Sequence, residues 1–406
     1  MARLEFILIY ILLSSNLYSQ WITQTSGTPR HLYDVELISA DTIFCIGELG
    51  TIIKTINGGA SWTAQISAIT GDLTDISFIN NTTGLSVGGG GRVMKTTDGG
   101  AVWVFISNPT SGLGGGVQFV TTNTAYAVGD QIIKSMDSGL SWSVIQDYPN
   151  LMNSLYFTDS LTGTVVGTGG FIVTTTNGGI NWTQRYMMLP VQLADSALGC
   201  IYYVNSLTGF VGGNFGIVVK TINGGANWTY VPLGNNFAAQ GIFFTDVNTG
   251  YVASQAGRIY RTTNSGLNWV QQTTGVTDPL TDVEFIDSNT GWVCGLNGRI
   301  LKTTNGGVTW IQPISNEIPK SFSLEQNYPN PFNPVTKIRF NIKDLSDSKL
   351  TVYDILGKEA VTLVNEKLKP GIYETEFDGT GYPSGEYFYR LTTDNFTETK
   401  KMVLIK

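Results

Sequence analysis

The chain has 406 residues, a formal net charge of −7 and a single histidine. Only 14% of its residues are charged, while Gly, Tyr, Phe and Trp number 48, 18, 19 and 9, a composition that suits many short strands joined by tight turns. Residues 20 to 320 carry 12 Lys and Arg against 18 Asp and Glu with no basic run, which excludes a nucleic-acid footprint, and the lone His31 argues against a His-based triad or metal site.

Residues 1–19 read as a secretory signal peptide. Arg3 precedes an apolar run from Phe6 to Leu13 that is too short to span a bilayer, and Ser19 offers a small residue for cleavage before Gln20.

From Trp21 onward the chain is periodic. A Thr or Ser is followed two residues on by Asn or Asp, two further by Gly, and three beyond that by Trp. The copies centre on Asn57, Asp98, Asp137, Asn177, Asn223, Asn264 and Asn305 and end at Trp62, Trp103, Trp142, Trp182, Trp228, Trp269 and Trp310. Asn or Asp hydrogen-bonds its own backbone, Gly takes positive φ, and the Trp opens the next strand with a large apolar surface, so each copy predicts a hairpin turn with an anchor. Trp spacings of 41, 41, 39, 40, 46, 41 and 41 residues predict four-stranded units repeated seven times, a seven-bladed β-propeller. Cys45, Cys200 and Cys294 fall on strands as buried residues; Cys45 and Cys294 belong to neighbouring blades of a closed ring, which leaves one disulfide open.

The motif resembles the Asp-box, or bacterial neuraminidase repeat, and Gly257 to Trp269, GRIYRTTNSGLNW, resembles the repeat of photosystem II assembly and stability factor propellers. The resemblance covers residues 20–314 and implies a seven-bladed binding propeller with Arg on its partner surface. Five of the seven copies carry Asn in place of Asp, which keeps the turn but removes a charged or metal-binding role for it. Ring closure stays open: WITQT at Trp21 matches the outer strand after each box, and WIQPI at Trp310 competes for the same edge.

Charged residues depart from the repeat on one face. Arg92, Arg258 and Arg299 share a hairpin-tip position in blades 2, 6 and 7, and Asp34, Asp75 and Asp282 share the start of the inner strand, at the channel mouth, in blades 1, 2 and 7. They form a candidate binding sector in which guanidinium forks meet carboxylate, phosphate or carbonyl groups; the alternative is that they pair with one another. An insertion lies on the same face: Trp182 precedes Ile201 by 19 residues where the equivalent spacing in blades 2, 3 and 6 is 14, and the stretch holds Arg185, Tyr186, Met187, Met188 and Pro190.

A sialidase-like glycoside hydrolase of the Asp-box kind is the competing reading, but the rim acids sit in the repeat frame, Glu36 and Glu284 are the shared inner-strand acids, and no off-pattern carboxylate or Tyr stands out. No catalytic residue, metal ligand or cofactor site is therefore assigned. Lectin-like glycan binding is a third possibility, with Tyr33, Tyr202 and Trp292 as stacking surfaces.

Residues 315–324 read as a linker, and residues 325–406 as a small Ig-like antiparallel β-sandwich with strands such as LTVYDI, GIYETEF and GEYFYRL. NYPNPFNPVTKIRF, VYDILGKEA and the terminal KMVLIK resemble the type A C-terminal sorting domain of type IX secretion cargo. That resemblance implies a Bacteroidetes-like source, the type IX machinery as a partner through residues 325–406, and delivery to the outer surface or beyond. The chain as a whole reads as an exported, all-β, non-catalytic propeller that binds a protein or glycan on its face.

Overall fold

The computed structural model describes residues 21–67, 69–185, 196–307, 312–315, 318–379 and 382–405. The signal segment, Trp310 and the insertion from Tyr186 to Pro190 lie outside the described residues. Each repeat forms an antiparallel four-stranded blade, to which blade 2 adds the short strand Ile66–Ser67, paired in parallel with its outer strand Val102–Ile106. Blade 1 is Leu32–Leu37, Ile43–Gly47, Ile52–Thr55 and Thr63–Ala64. The innermost strands of blades 2 to 7 are Leu73–Phe78, Leu113–Phe119, Met152–Phe157, Leu198–Tyr203, Ala239–Phe244 and Leu280–Phe285. Each inner strand contacts the next, and Leu280–Phe285 returns to Leu32–Leu37, so the seven blades close a ring around a central channel. The second strand of every blade is buried throughout, for instance Gly163–Gly167 and Gly291–Gly295, because it is sandwiched between two neighbouring blades.

The box turns work through a side-chain oxygen. In blade 1 the Thr55 hydroxyl donates to Asn57 Oδ1 at 2.8 Å and accepts the Gly59 N–H at 3.0 Å, while Asn57 Oδ1 also accepts the Ser61 N–H. In blade 2 Asp98 makes the same bonds with Thr96 and Val102. Either residue supplies the acceptor, which is why Asn and Asp interchange here. The Gly is required for space as well as for its positive φ: Gly100 lies at φ +85°, and a Cβ there would come within 2.5 Å of the Phe44 ring of the preceding blade.

The same turns clip blades together. Lys54 Nζ crosses the Phe44 ring and donates to the Gly99 carbonyl of the next box at 2.8 Å; Lys134 reaches Gly178, Lys220 reaches Ser265, and Lys302 closes the circle on Gly58. Ring closure itself falls to the first strand. Ile22–Gln24 pairs antiparallel with Arg299–Thr303 as the outer strand of blade 7, and Trp21 is fully buried against Tyr251 and Phe285. Trp103 occupies the equivalent slot in blade 2 against Phe44 and Phe78.

The competing strand goes elsewhere. Gln312–Ser315 pairs with Gly371–Asp378 as an edge strand of the C-terminal sandwich. That sheet continues through Val335–Ile342 to the short strand Ser323–Leu324, so Ser315, Ser323 and Leu324, expected in a linker, are strand residues. The second sheet runs Glu359–Leu368, Ser346–Tyr353, Gly385–Thr392 and Thr397–Leu404. Ile338, Phe340, Leu350, Val352, Tyr389 and Met402 fill the core between the two layers.

Candidate functional site at the channel mouth

An inner strand is an edge strand, so every second N–H points into the channel without a ladder partner. Acidic side chains of the preceding blade satisfy these groups. Asp34 Oδ2 accepts the Ile76 N–H at 2.8 Å and Glu36 Oε1 the Phe78 N–H at 2.8 Å, linking blade 1 to blade 2. Asp75 accepts from Val117 at 2.5 Å, and Glu284 accepts from Leu37 at 2.7 Å across the closure from blade 7 to blade 1. Asp282 reaches Val35 at 3.4 Å. Ser77 and Gln118 serve Phe119 and Phe157 in the same way, so the device does not depend on charge.

The three aspartates expected at the mouth are brought together, and they bond to one another: Asp34 hydrogen-bonds both Asp75 and Asp282. Each is half-buried by accessible surface because it faces the channel, yet protein surrounds it on every other side. Burial is the main force on their protonation. It holds Asp34, Asp282 and Glu284 well above the usual carboxylate range and raises Asp75 and Glu36 to about 7. Repulsion from Asp75 on Asp34, and from Asp34 on Asp282, acts in the same direction.

The three arginines do not meet these aspartates. Arg299 binds Asp278 of its own blade, with Nη2 at 2.5 Å and Nε at 3.0 Å, and Asn297 donates to the other oxygen of that carboxylate. Arg92 Nη1 donates to the Gly89 carbonyl of its own hairpin. Arg258 lies over the Phe237 ring at 3.8 Å, and its buried Nη1 has no hydrogen-bond acceptor among the described residues. Mutual pairing of the Arg and Asp sets is thus replaced by local partners. Phe237 and Asp278 stand at one repeat position, 21 residues before Arg258 and Arg299, and Gly89 lies in the hairpin of Arg92 itself; the residue at that position changes from blade to blade, so the spacing marks the contact but not its chemistry.

Residues 13–145 and 135–279 match the sequence family described as Photosynthesis system II assembly factor YCF48. The chain belongs to that family. Its last portion, residues 326–406, matches the secretion system C-terminal sorting domain, which marks this YCF48-family propeller for type IX export to the cell surface or beyond. Similar folds are seen in a structure of YCF48 bound to a D1 peptide, at 20% identity and TM-score 0.60, covering 71% of this chain and 96% of that one. PorZ, a surface component of the type IX secretion system of Porphyromonas gingivalis, gives 13% identity and TM-score 0.55 over 94% and 60% of the two chains. A GH74 enzyme from Niastella koreensis gives 12% identity and TM-score 0.56 over 94% and 67%. No curated protein matches in sequence.

The opposite wall of the YCF48-family channel is aromatic. Tyr202 packs at 4.7 Å from Phe243 and 5.4 Å from Tyr156, and burial raises the Tyr202 hydroxyl above its ordinary range. Trp292, expected as a rim stacking surface, is instead fully buried between blades 7 and 1 with Lys302 over its ring at 4.8 Å, because second strands never reach the channel. Cys45 and Cys294 share that core as free thiols, so no disulfide joins them; Cys200 is also free and buried. Among the described residues no group of His, Cys, Asp and Glu is arranged to hold a metal ion.

Proposed function

We propose that this chain is an exported, non-catalytic binding propeller, carried out of the cell by its sorting domain, with a protein ligand on the channel-mouth face. The observation that carries this reading is the engagement of the channel carboxylates: each accepts backbone N–H groups of the neighbouring blade, as Asp34 does from Ile76 and Glu36 from Phe78. A glycosidase needs two carboxylates free to face the scissile bond, one of them ionised. Here Asp34 shares hydrogen bonds with Asp75 and Asp282, and burial favours the protonated forms.

Binding on this face centres on Arg258. Its guanidinium is held flat on Phe237 without a carboxylate partner among the described residues, ready for a carboxylate or carbonyl of a ligand, whereas the fork of Arg299 is already occupied by Asp278. The peptide bound to the similar YCF48 structure supports a protein ligand over a glycan. The GH74 likeness, at 12% identity, supports the fold alone.

The test is a capture experiment with outer-surface protein extract, run beside a glycan array. Specific protein capture by the full chain that is lost in Arg258→Ala and kept in Arg299→Ala supports the reading. Saturable glycan binding without protein capture contradicts it.

A further inference from the structure

On the channel-mouth face, the hairpin between the second and third strands of a blade turns on a residue in the left-handed region. In six blades that residue is Leu49, Gly90, Gly169, Phe215, Ala256 or Asn297, at φ between +55° and +77°. Gly takes this conformation freely and Asn tolerates it, whereas a bulky side chain is strained there. Leu49 and Phe215 occupy it without gaining burial, at 47% and 55% exposure. A large apolar side chain held in a strained conformation and left in solvent marks a contact surface.

Phe215 shares a loop platform with Arg258. The link from blade 5 to blade 6 lies directly on the Phe215 hairpin: the Leu233 N–H donates to the Gly216 carbonyl at 3.0 Å, and a Cβ at Gly216 would come within 2.1 Å of the Asn235 carbonyl oxygen. Two residues on, Phe237 donates its N–H to Asn235 Oδ1 at 2.7 Å and supports the Arg258 guanidinium at 3.8 Å. The Phe215 ring and the guanidinium therefore flank one link, whose surroundings include the exposed Asn214, Asn236 and Gln255. Arg258 is the only charged residue in segments 213–217, 232–240 and 254–258. The next link carries Asp278, whose carboxylate is taken up by Arg299 and Asn297.

The equivalent platform between blades 1 and 2 differs in charge. Leu49 and Arg92 flank the link that holds Gly71 and Asp72. Asp72 Oδ1 accepts the Leu49 N–H at 3.0 Å, Glu48 Oε2 accepts the His31 N–H at 3.3 Å, and Arg92 turns back to the Gly89 carbonyl. Two carboxylates thus stand where an anionic ligand would approach, whereas blades 5 and 6 offer a guanidinium among neutral amides.

We infer that Phe215 is a specificity residue of the Arg258 site. The site reads a peptide segment of a partner protein in which an apolar side chain, packed on the Phe215 ring, lies beside an Asp or Glu carboxylate bound by the Arg258 fork. This rests on the binding role given to Arg258 above and adds the apolar half of the ligand. The strained backbone at Phe215 lowers stability and is retained for that contact.

A phage-displayed library of random peptides is panned on the full chain and on its Phe215→Gly, Phe215→Asn and Arg258→Ala variants. The unaltered chain is expected to enrich peptides with Asp or Glu next to Phe, Trp, Tyr, Leu or Ile. Both Phe215 variants keep the acidic preference, lose the apolar one, and bind the best selected peptide about tenfold or more weakly in fluorescence anisotropy. Their Tm is expected at or above that of the unaltered chain, because Gly and Asn suit φ +57°. Enrichment of acidic peptides without an apolar neighbour, lost in Arg258→Ala, overturns this inference and leaves the role of Arg258 standing. Enrichment that is unchanged in all three variants overturns both. Absence of enrichment, equal binding by the Phe215 variants, or a lower Tm in both of them also overturns the inference, the last because it makes the ring structural.

Discussion

The Trp21 indole meets the Phe285 ring edge-on, with centroids 5.7 Å apart and planes at 84°. The first strand of the chain thereby fills the anchor slot of the last blade, and a Cβ at the blade 7 box residue Gly307 would lie 2.7 Å from Trp21 Nε1. Trp21→Ala removes a fully buried aromatic from the seam and is expected to cost about 3–5 kcal/mol in denaturant unfolding. A loss below about 1 kcal/mol would show that another strand closes the ring.

The channel carboxylates set the pH response. Asp75 and Glu36 titrate near 7 in the folded chain against ordinary values of 3.8 and 4.5, and Asp34, Asp282 and Glu284 are shifted in the same direction. Between those ordinary values and about 7 the folded state holds more protons than the unfolded chain, so stability falls as pH rises through this window. Thermal unfolding is expected at a lower Tm at pH 8 than at pH 5, with the difference reduced in Asp75→Asn. A Tm that rises from pH 5 to pH 8 would contradict the burial account.

Much of this was legible in the sequence because the box fixes its own register. Blade number and turn geometry follow from Thr, Asn or Asp, Gly and Trp at constant spacing, while the anchoring Trp is buried at Trp103, Trp142 and Trp228 and half-buried at Trp62, Trp182 and Trp269. Ring closure was not legible, because WITQT and WIQPI are equivalent as strands; Trp21 is described in the seam while Gln312–Ser315 joins the sandwich. Asp34, Asp75 and Asp282 could be placed at the mouth by position, but their acceptors' role could not, since the donors are backbone N–H groups of another blade. Arg299 shows the same limit: Asp278, its partner, lies 21 residues earlier at the repeat position that Phe237 fills before Arg258, so the spacing marks the contact but not whether it is ionic or aromatic.

The box needs an oxygen at its second position and no charge. Asp98→Asn should change stability by less than about 0.5 kcal/mol, since Asn57 already makes the equivalent bonds in blade 1. Asp98→Ala removes the acceptor of Thr96 and Val102 and should cost about 1–2 kcal/mol. Equal effects of the two substitutions in urea unfolding would mean that the charge itself matters.

Arg299 and Arg258 should separate by readout. Arg299→Ala breaks a half-exposed pair with Asp278 and is expected to lower stability by up to about 1 kcal/mol, more at low salt than at high salt. Arg258→Ala loses its stacking on Phe237, a similarly small effect, and is distinguished by weaker capture of protein ligand. Reversal of the two binding results would move the site to Arg299.

The central claim, that the acids at the channel mouth hold blades together and do no chemistry, is tested most directly by product analysis of a glycan panel incubated with the full chain and with Asp34→Asn. Intact glycans in both samples are expected, with the substitution detected only in unfolding. Shortened glycans from the unaltered chain that disappear with Asp34→Asn would make these carboxylates catalytic and overturn the account.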